Sequence, residues 1–315
     1  MPANLKLAVN KFKIRHNHMM ISTPELILDA HADLGEGPAW ESNTGVLYWV
    51  DIHAGILHIF NPQDGADRSI DLGGYLGCAA PRRAGGLVLG LRSDFATVDS
   101  VPLTGEAKVR VIVNPEPHLP GNRFNDGKCD PAGRFLAGSM DDAEIEPSGS
   151  LYSLSPDGSV RTLLRGTRIA NGLAWSPDYK TFYFIDTPTH TVMAYDYDLG
   201  SGALANARPA ISVPPEMGWP DGMTSDAQGQ LWVALWGGAK LTRWNPGSGQ
   251  LLEEIAFPAL NVSSCVFGGP HLTDLYITSA RKEMDAIQLA KYPFSGGLFR
   301  IRTNIQGLPT FAFGG

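Results

Sequence analysis

The chain has 315 residues, with 36 glycines, 23 prolines and only 18% charged residues, a composition suited to many short strands and tight turns rather than long charged helices. Its formal charge of -7, without any cluster of lysine or arginine, argues against a nucleic-acid or anionic-membrane partner. No apolar run approaches the roughly 20 residues that a membrane-spanning helix needs.

In chain order, the opening MPANLKLAVNKFKIRHNHMM is mildly basic and lacks the apolar stretch of a secretory signal. Residues 1–22 are expected to form a disordered extension and residues 23–315 a single domain, with a cytoplasmic location. Next comes a unit that recurs along the chain. Its copies are GPAWESNTGVLYWVDIHAGILHIFNPQDG from Gly37, GCAAPRRAGGLVLGLRSDFATVDSVPLTGE from Gly77 and DGKCDPAGRFLAGSM from Asp126. The series continues with NGLAWSPDYKTFYFIDTPTHTVMAYDYD from Asn171, DGMTSDAQGQLWVALWGGAKLTRWNPGSG from Asp221 and SCVFGGPHLTDLYITSA from Ser264. Each copy has a small-residue start, a short apolar strand, an Asp/Pro/Gly-rich turn, a second apolar strand and an alternating strand. Four strands per unit, repeated six times, predicts an all-β, six-bladed β-propeller of four-stranded antiparallel blades around a central channel.

The three cysteines (Cys78, Cys129, Cys265) are dispersed, so they read as reduced thiols in a core rather than disulfide or zinc-site partners.

In a propeller the first strand of each blade lines the channel, so equivalent positions point at a common axis. The residues that start the copies at that position are Glu36, Leu76, Asp126, Asn171, Asp221 and Ser264. Three carboxylates and an amide gathered there repel one another unless a cation neutralises them. Oxygen-only donors suit Ca²⁺, Mg²⁺ or Mn²⁺, with Zn²⁺ and Fe²⁺ left open. Asn171, oddly polar at the head of an apolar strand, is then a carbonyl donor to the metal. The plainer alternative is that such residues tie neighbouring strands together through backbone hydrogen bonds, and Asp126 is the foremost candidate for that role.

LGEGPAW with LYWVDI, NRFNDGKCDPAGRFLAGSM, NGLAWSPD, PDGMTSDAQGQLWVALW and CVFGGP…LYITSAR occur in an order and form that resembles the SMP-30/gluconolactonase/LRE family, over about nine tenths of the chain. The resemblance implies one divalent metal ion held by Glu36, Asn171 and Asp221, with Asp221 also the acid/base. It implies substrate binding by Arg123 and Asn125. A further carboxylate after the AGSM strand is placed at Glu144, with Asp142 as the alternative register. The implied reaction is hydrolysis of a sugar lactone to its aldonic acid. Two other readings stay open: a calcium-binding regulatory protein without turnover, and hydrolysis of a non-sugar lactone or phosphotriester.

The absence of a G-x-S-x-G elbow, a P-loop and an H-E-x-x-H pair removes serine hydrolase, P-loop NTPase and zincin chemistry. Trp219 and Trp236 are candidates either for stacking on a sugar or for packing between blades. His31, His53 and His190 read as surface or loop residues, and Arg281 as a residue near the channel mouth.

Overall fold

The computed structural model describes residues 20–100 and 107–315; of the expected extension, residues 1–19 lie outside the described residues. Six four-stranded antiparallel sheets are arranged as the blades of a β-propeller. Blade I is Gly35–Glu41, Val46–Asp51, Ile56–Asn61 and Ala66–Asp71, in hydrogen-bonded order. Blade II follows with Leu76–Pro81, Leu87–Leu91, Phe95–Val98 and Val109–Val113, and blade III with Asn122–Cys129, Phe135–Asp141, Gly149–Leu154 and Val160–Thr167. Blade IV is Ala170–Trp175, Thr181–Asp186, Thr191–Asp198 and Ala203–Ser212; blade V is Trp219–Ser225, Leu231–Trp236, Lys240–Asn245 and Gln250–Ala256.

Blade VI departs from this order. Its first three strands, Asn261–Gly268, Asp274–Ala280 and Leu298–Arg302, are completed by Glu25–Leu28 from the other end of the chain. Leu26 pairs with Phe299, and just before it the Ser22 amide donates to Arg302 O at 2.9 Å. The ring is thus closed by strand pairing between chain ends, which covers the edge that Leu298–Arg302 would otherwise expose. Residues 20–22 already run along this blade.

The alternation seen in the repeats fails where it should. Second strands such as LWVALW are apolar throughout, because each is sandwiched between blades and has no solvent face. Val50, Leu57, Leu76 and Leu89 pack between blades I and II; Trp232, Leu241, Cys265 and Phe267 do so between V and VI. The turns use the chemistry their sequences suggest. In DPAGR the Asp130 carboxylate accepts from the Arg134 amide at 2.8 Å while Gly133 takes φ +93°; DAQGQ repeats the device with Asp226 and Gly229. The three thiols are buried and unpaired, and burial raises their pKa values.

First strands touch those of both neighbouring blades and so form the channel wall. Each carries a register shift against its second strand at the same level: between Glu36 and Ala39, Leu76 and Cys78, Phe124 and Gly127, Asn171 and Leu173, Pro220 and Met223, and Val262 and Ser264. A bulge there re-aims a side chain off the pleat. The glycines beside it answer to the crowding: a Cβ on Gly77 would lie 2.6 Å from Phe124 O, and one on Gly172 2.8 Å from Asp221 O.

The C-terminal segment covers one end of the channel. Leu308–Phe311 and the strand ends Ala39, Ala79 and Ala174 wall a cavity of only about 60 Å³. Phe313 is pinned by its amide to Pro81 O at 2.8 Å. The single α-helix among the described residues, Ala286–Lys291, starts at a capping box of Asp285 and Gln288. No helix among the described residues is long and apolar enough to cross a membrane.

Candidate active site

At the end of the channel away from the C-terminal segment, the bulged residues of three blades meet in one cavity. Glu36 from blade I, Asn171 from blade IV and Asp221 from blade V line a space of about 340 Å³. Each is 4% exposed, so two carboxylates and an amide sit almost out of water. The Glu36 carboxylate accepts one hydrogen bond, from the Gly37 amide at 2.8 Å. No hydrogen bond reaches the Asp221 carboxylate among the described residues.

A buried carboxylate without a donor is costly, and the local electrostatics show it. Burial, and then the charge of Asp126, push the Glu36 pKa from 4.5 up to about 8. Burial raises Asp221 well above the usual carboxylate range, with Glu36 and Asp126 adding repulsion and Lys282 opposing it. Asp126 does not line this cavity. Its Oδ1 accepts from the amide of the next residue, Gly127, at 2.7 Å, a bond within its own strand that ties no neighbour, and its Oδ2 is buried without a partner.

The donor set accords with a hard cation. Glu36, Asp221 and the Asn171 carbonyl offer oxygen donors from chain-distant blades, and a cation between them would offset the cost of ionising the two buried carboxylates. Asn171 is oriented for this: its Nδ2 donates to Thr187 Oγ1 at 2.8 Å, which fixes the side of the amide that faces away from Thr187. Thr187 is itself tied to Pro220 O at 2.8 Å. Among the described residues no group of three His, Cys, Asp or Glu side chains is placed to hold a metal; the set here needs the amide as its third member.

Beside this triad runs a chain of hydrogen bonds. Asn125 Nδ2 donates to Asn171 Oδ1 at 2.9 Å and to Ala170 O at 3.0 Å, while Asn125 Oδ1 accepts from Arg123 Nη1 at 2.7 Å. Asn125 therefore links the guanidinium to the proposed metal donor. Arg123 Nε donates to Asp142 Oδ1 at 3.0 Å, and Arg92 holds the other Asp142 oxygen at 3.0 Å. Arg123 lines the cavity, and no acceptor is placed on its Nη2 among the described residues. Burial lowers the Arg123 pKa, and Asp142 and Glu144 counter that.

The two carboxylates offered by the sequence for one role are separated here. Glu144 lines the cavity; Asp142 does not, and instead anchors Arg123 from behind. Trp219 and Trp236 both wall the cavity, and Trp219 is 45% exposed with its ring against that of His190, centroids 4.2 Å apart. His31 and His53 pair with Asp29 and Asp33 away from it. Arg281 turns to Ser295 O at 2.8 Å, and it is Lys282, one residue on, that reaches the cavity. Thr187 and Lys282 were missed in the sequence. Thr187 follows Asp186 as Ile52 follows Asp51, but its hydroxyl does not recur there, and Lys282 lies past the end of its strand, so no polar pattern shared between blades marks either.

The SMP-30/Gluconolactonase/LRE-like region profile matches residues 34–281. Regucalcin of Danio rerio is 38% identical over 297 residues, covering 92% of this chain and 98% of its own. The putative sugar lactone lactonase YvrE of Bacillus subtilis (strain 168) is 36% identical over 287 residues, covering 91% and 97%. Among solved structures, a calcium-binding protein, regucalcin, from Agrobacterium tumefaciens str. C58 superposes with a TM-score of 0.87 at 26% identity, covering 93% and 97%.

Proposed function

This chain belongs to the SMP-30/gluconolactonase/LRE-like family, and from that premise we propose that it is a lactonase that hydrolyses a small sugar lactone to its aldonic acid with one divalent cation. The reading is carried by the meeting of Glu36, Asn171 and Asp221, from three separate blades, in a cavity that Arg123 also lines. The sugar-lactonase relative supports the reaction class, and the calcium-binding neighbour makes calcium the first ion to test ahead of manganese, magnesium, zinc and iron(II).

Glu36, Asn171 and Asp221 would hold the ion, which when bound supplies Lewis-acid polarisation of a carbonyl oxygen. The remaining work falls to side chains. With positive charge beside it the Asp221 carboxylate is ionised, and it takes a proton from the water that adds to the lactone carbonyl carbon. The ring C–O bond then breaks, and the proton passes to the departing ring oxygen as it becomes a hydroxyl. Arg123, locked by Asp142 and Asn125, offers its free Nη2 as a fixed donor to a substrate oxygen. Glu144 accepts from a sugar hydroxyl, and Trp219 and Trp236 give apolar walls against a ring face.

The test is lactone hydrolysis followed by pH-stat after chelation and reconstitution with each ion, on gluconolactone, xylonolactone and arabinonolactone. Asp221→Ala and Asn171→Ala are expected to lower kcat by about 10²-fold or more with the fold intact. Full activity in chelator would overturn the reading. The regucalcin relatives favour a second reading, calcium binding without turnover; it predicts a calcium-binding isotherm and no hydrolysis of any lactone.

A further inference from the structure

In a ring of six, blades III and VI stand opposite each other, yet one side-chain contact joins them. Lys282, after the second strand of blade VI, donates to Glu144 in the loop after the second strand of blade III. Both residues wall the cavity, and both charges act on Asp221. The pair therefore spans the cavity and, at 17% and 33% side-chain exposure against 4% for Glu36 and Asp221 as whole residues, lies on the solvent side of the carboxylates.

Neither end is loosely held. Glu144 has φ +61° and donates its amide to Asp141 O at 2.9 Å. The Asp141 carboxylate gathers the amides of Ile145 and Glu146 at 3.1 and 3.0 Å, so the loop is wrapped around it. Arg168 Nε ties the same loop to blade IV through Ile145 O at 3.2 Å. On the other side, the Lys282 amide donates to Asp33 O at 2.8 Å and its carbonyl accepts from Asn261 Nδ2 at 3.2 Å. The Lys282 and Glu144 side chains are 17% and 33% exposed, which places this pair between a surface and a buried ion pair. The second carboxylate near Lys282, Glu283, is 3.5 Å away and 72% exposed.

A cavity of about 340 Å³ is near the small end of the roughly 300–1,000 Å³ range of small-molecule sites. We infer that the Glu144–Lys282 pair is a crossbar that restricts the site to lactones of a single sugar ring, which makes Lys282 a specificity-determining residue. The inference rests on the sugar-lactone reading. A second, glycosidically linked ring would project through the mouth where the pair sits, and the pair must part to admit it. Specificity of this kind comes from what the wrong substrate has to disrupt.

The experiment measures binding of D-gluconate and cellobionate by calorimetry, with calcium present, to the full chain and to its Lys282→Ala and Lys282→Arg variants. Hydrolysis of the two parent lactones is followed alongside. The unaltered protein is expected to prefer gluconate by about 30-fold or more, Lys282→Ala to narrow that gap about tenfold through tighter cellobionate, and Lys282→Arg to keep it. A gap that Lys282→Ala leaves unmoved, including a loss that falls equally on both ligands, overturns the crossbar. So does a protein that binds both aldonates alike, or neither. If the binding gap narrows as expected while no lactone is hydrolysed with any ion, the lactonase reading falls and the crossbar stands.

Discussion

Glu36 makes the electrostatic logic of the site measurable. In chelator its pKa of about 8, against an ordinary 4.5, means that the folded chain holds a proton the unfolded chain has released. Stability therefore falls as pH rises from 4.5 towards 8, and is fully retained only below that window. At about 1.4 kcal/mol per pH unit, the whole difference is worth about 5 kcal/mol and a step from pH 5.5 to 7.5 about 3 kcal/mol. With an unfolding entropy of about 0.6 kcal/mol/K for a chain of this length, that step lowers Tm by about 5 °C. Asp126 and Asp221 are raised by burial as well and add in the same direction. Glu36→Gln removes both its own titration and its repulsion of Asp221, so the slope should flatten and Tm at pH 7.5 should rise. Excess calcium should reverse the slope, because the ion binds the ionised carboxylates. The assay is a set of thermal melts of chelated protein and Glu36→Gln between pH 5.5 and 8. A chelated protein whose Tm is flat or rises over that range, or a variant with the unaltered slope, would refute the reasoning.

Thr187→Val leaves the Asn171 amide without the partner that orients it; divalent-ion affinity by calorimetry should fall about tenfold, as losing an outer support of a ligand commonly does. Asp142→Ala frees Arg123 and Arg92 together without touching the cavity wall, so steady-state kinetics on the preferred lactone should show KM rising about tenfold with a smaller change in kcat. Gly77→Ala places a methyl 2.6 Å from Phe124 O; denaturant unfolding should report a loss of about 1–3 kcal/mol, because two channel-wall strands must move apart.

The repeat made the blades legible, because each blade is the same solution to burying a strand between two neighbours, and the solution is written locally in glycines, turn aspartates and apolar runs. The same symmetry puts Glu36, Asn171 and Asp221 in one ring from sequence alone: equivalent bulges point to one axis. Asp126 shows where this stops. It occupies an equivalent position, yet its carboxylate lies off the cavity wall, and the residue before it, Asn125, lines the cavity instead.

Tertiary structure alone decided what crosses the ring or closes it. Glu25–Leu28 completes the last blade because the seam needs a fourth strand and the far end of the chain is there to supply one. Glu144 and Asp142, two residues apart, took different partners because a left-handed turn sends one to Lys282 and leaves the other behind Arg123. Thr187 reached Asn171 from a loop of the same length as the one after Asp51 in blade I, where Ile52 stands in its place, so only the hydroxyl is peculiar to blade IV. Periodicity in a sequence encodes what is equivalent between blades. Contacts between unlike loops have no period, so folding in three dimensions is what selects them.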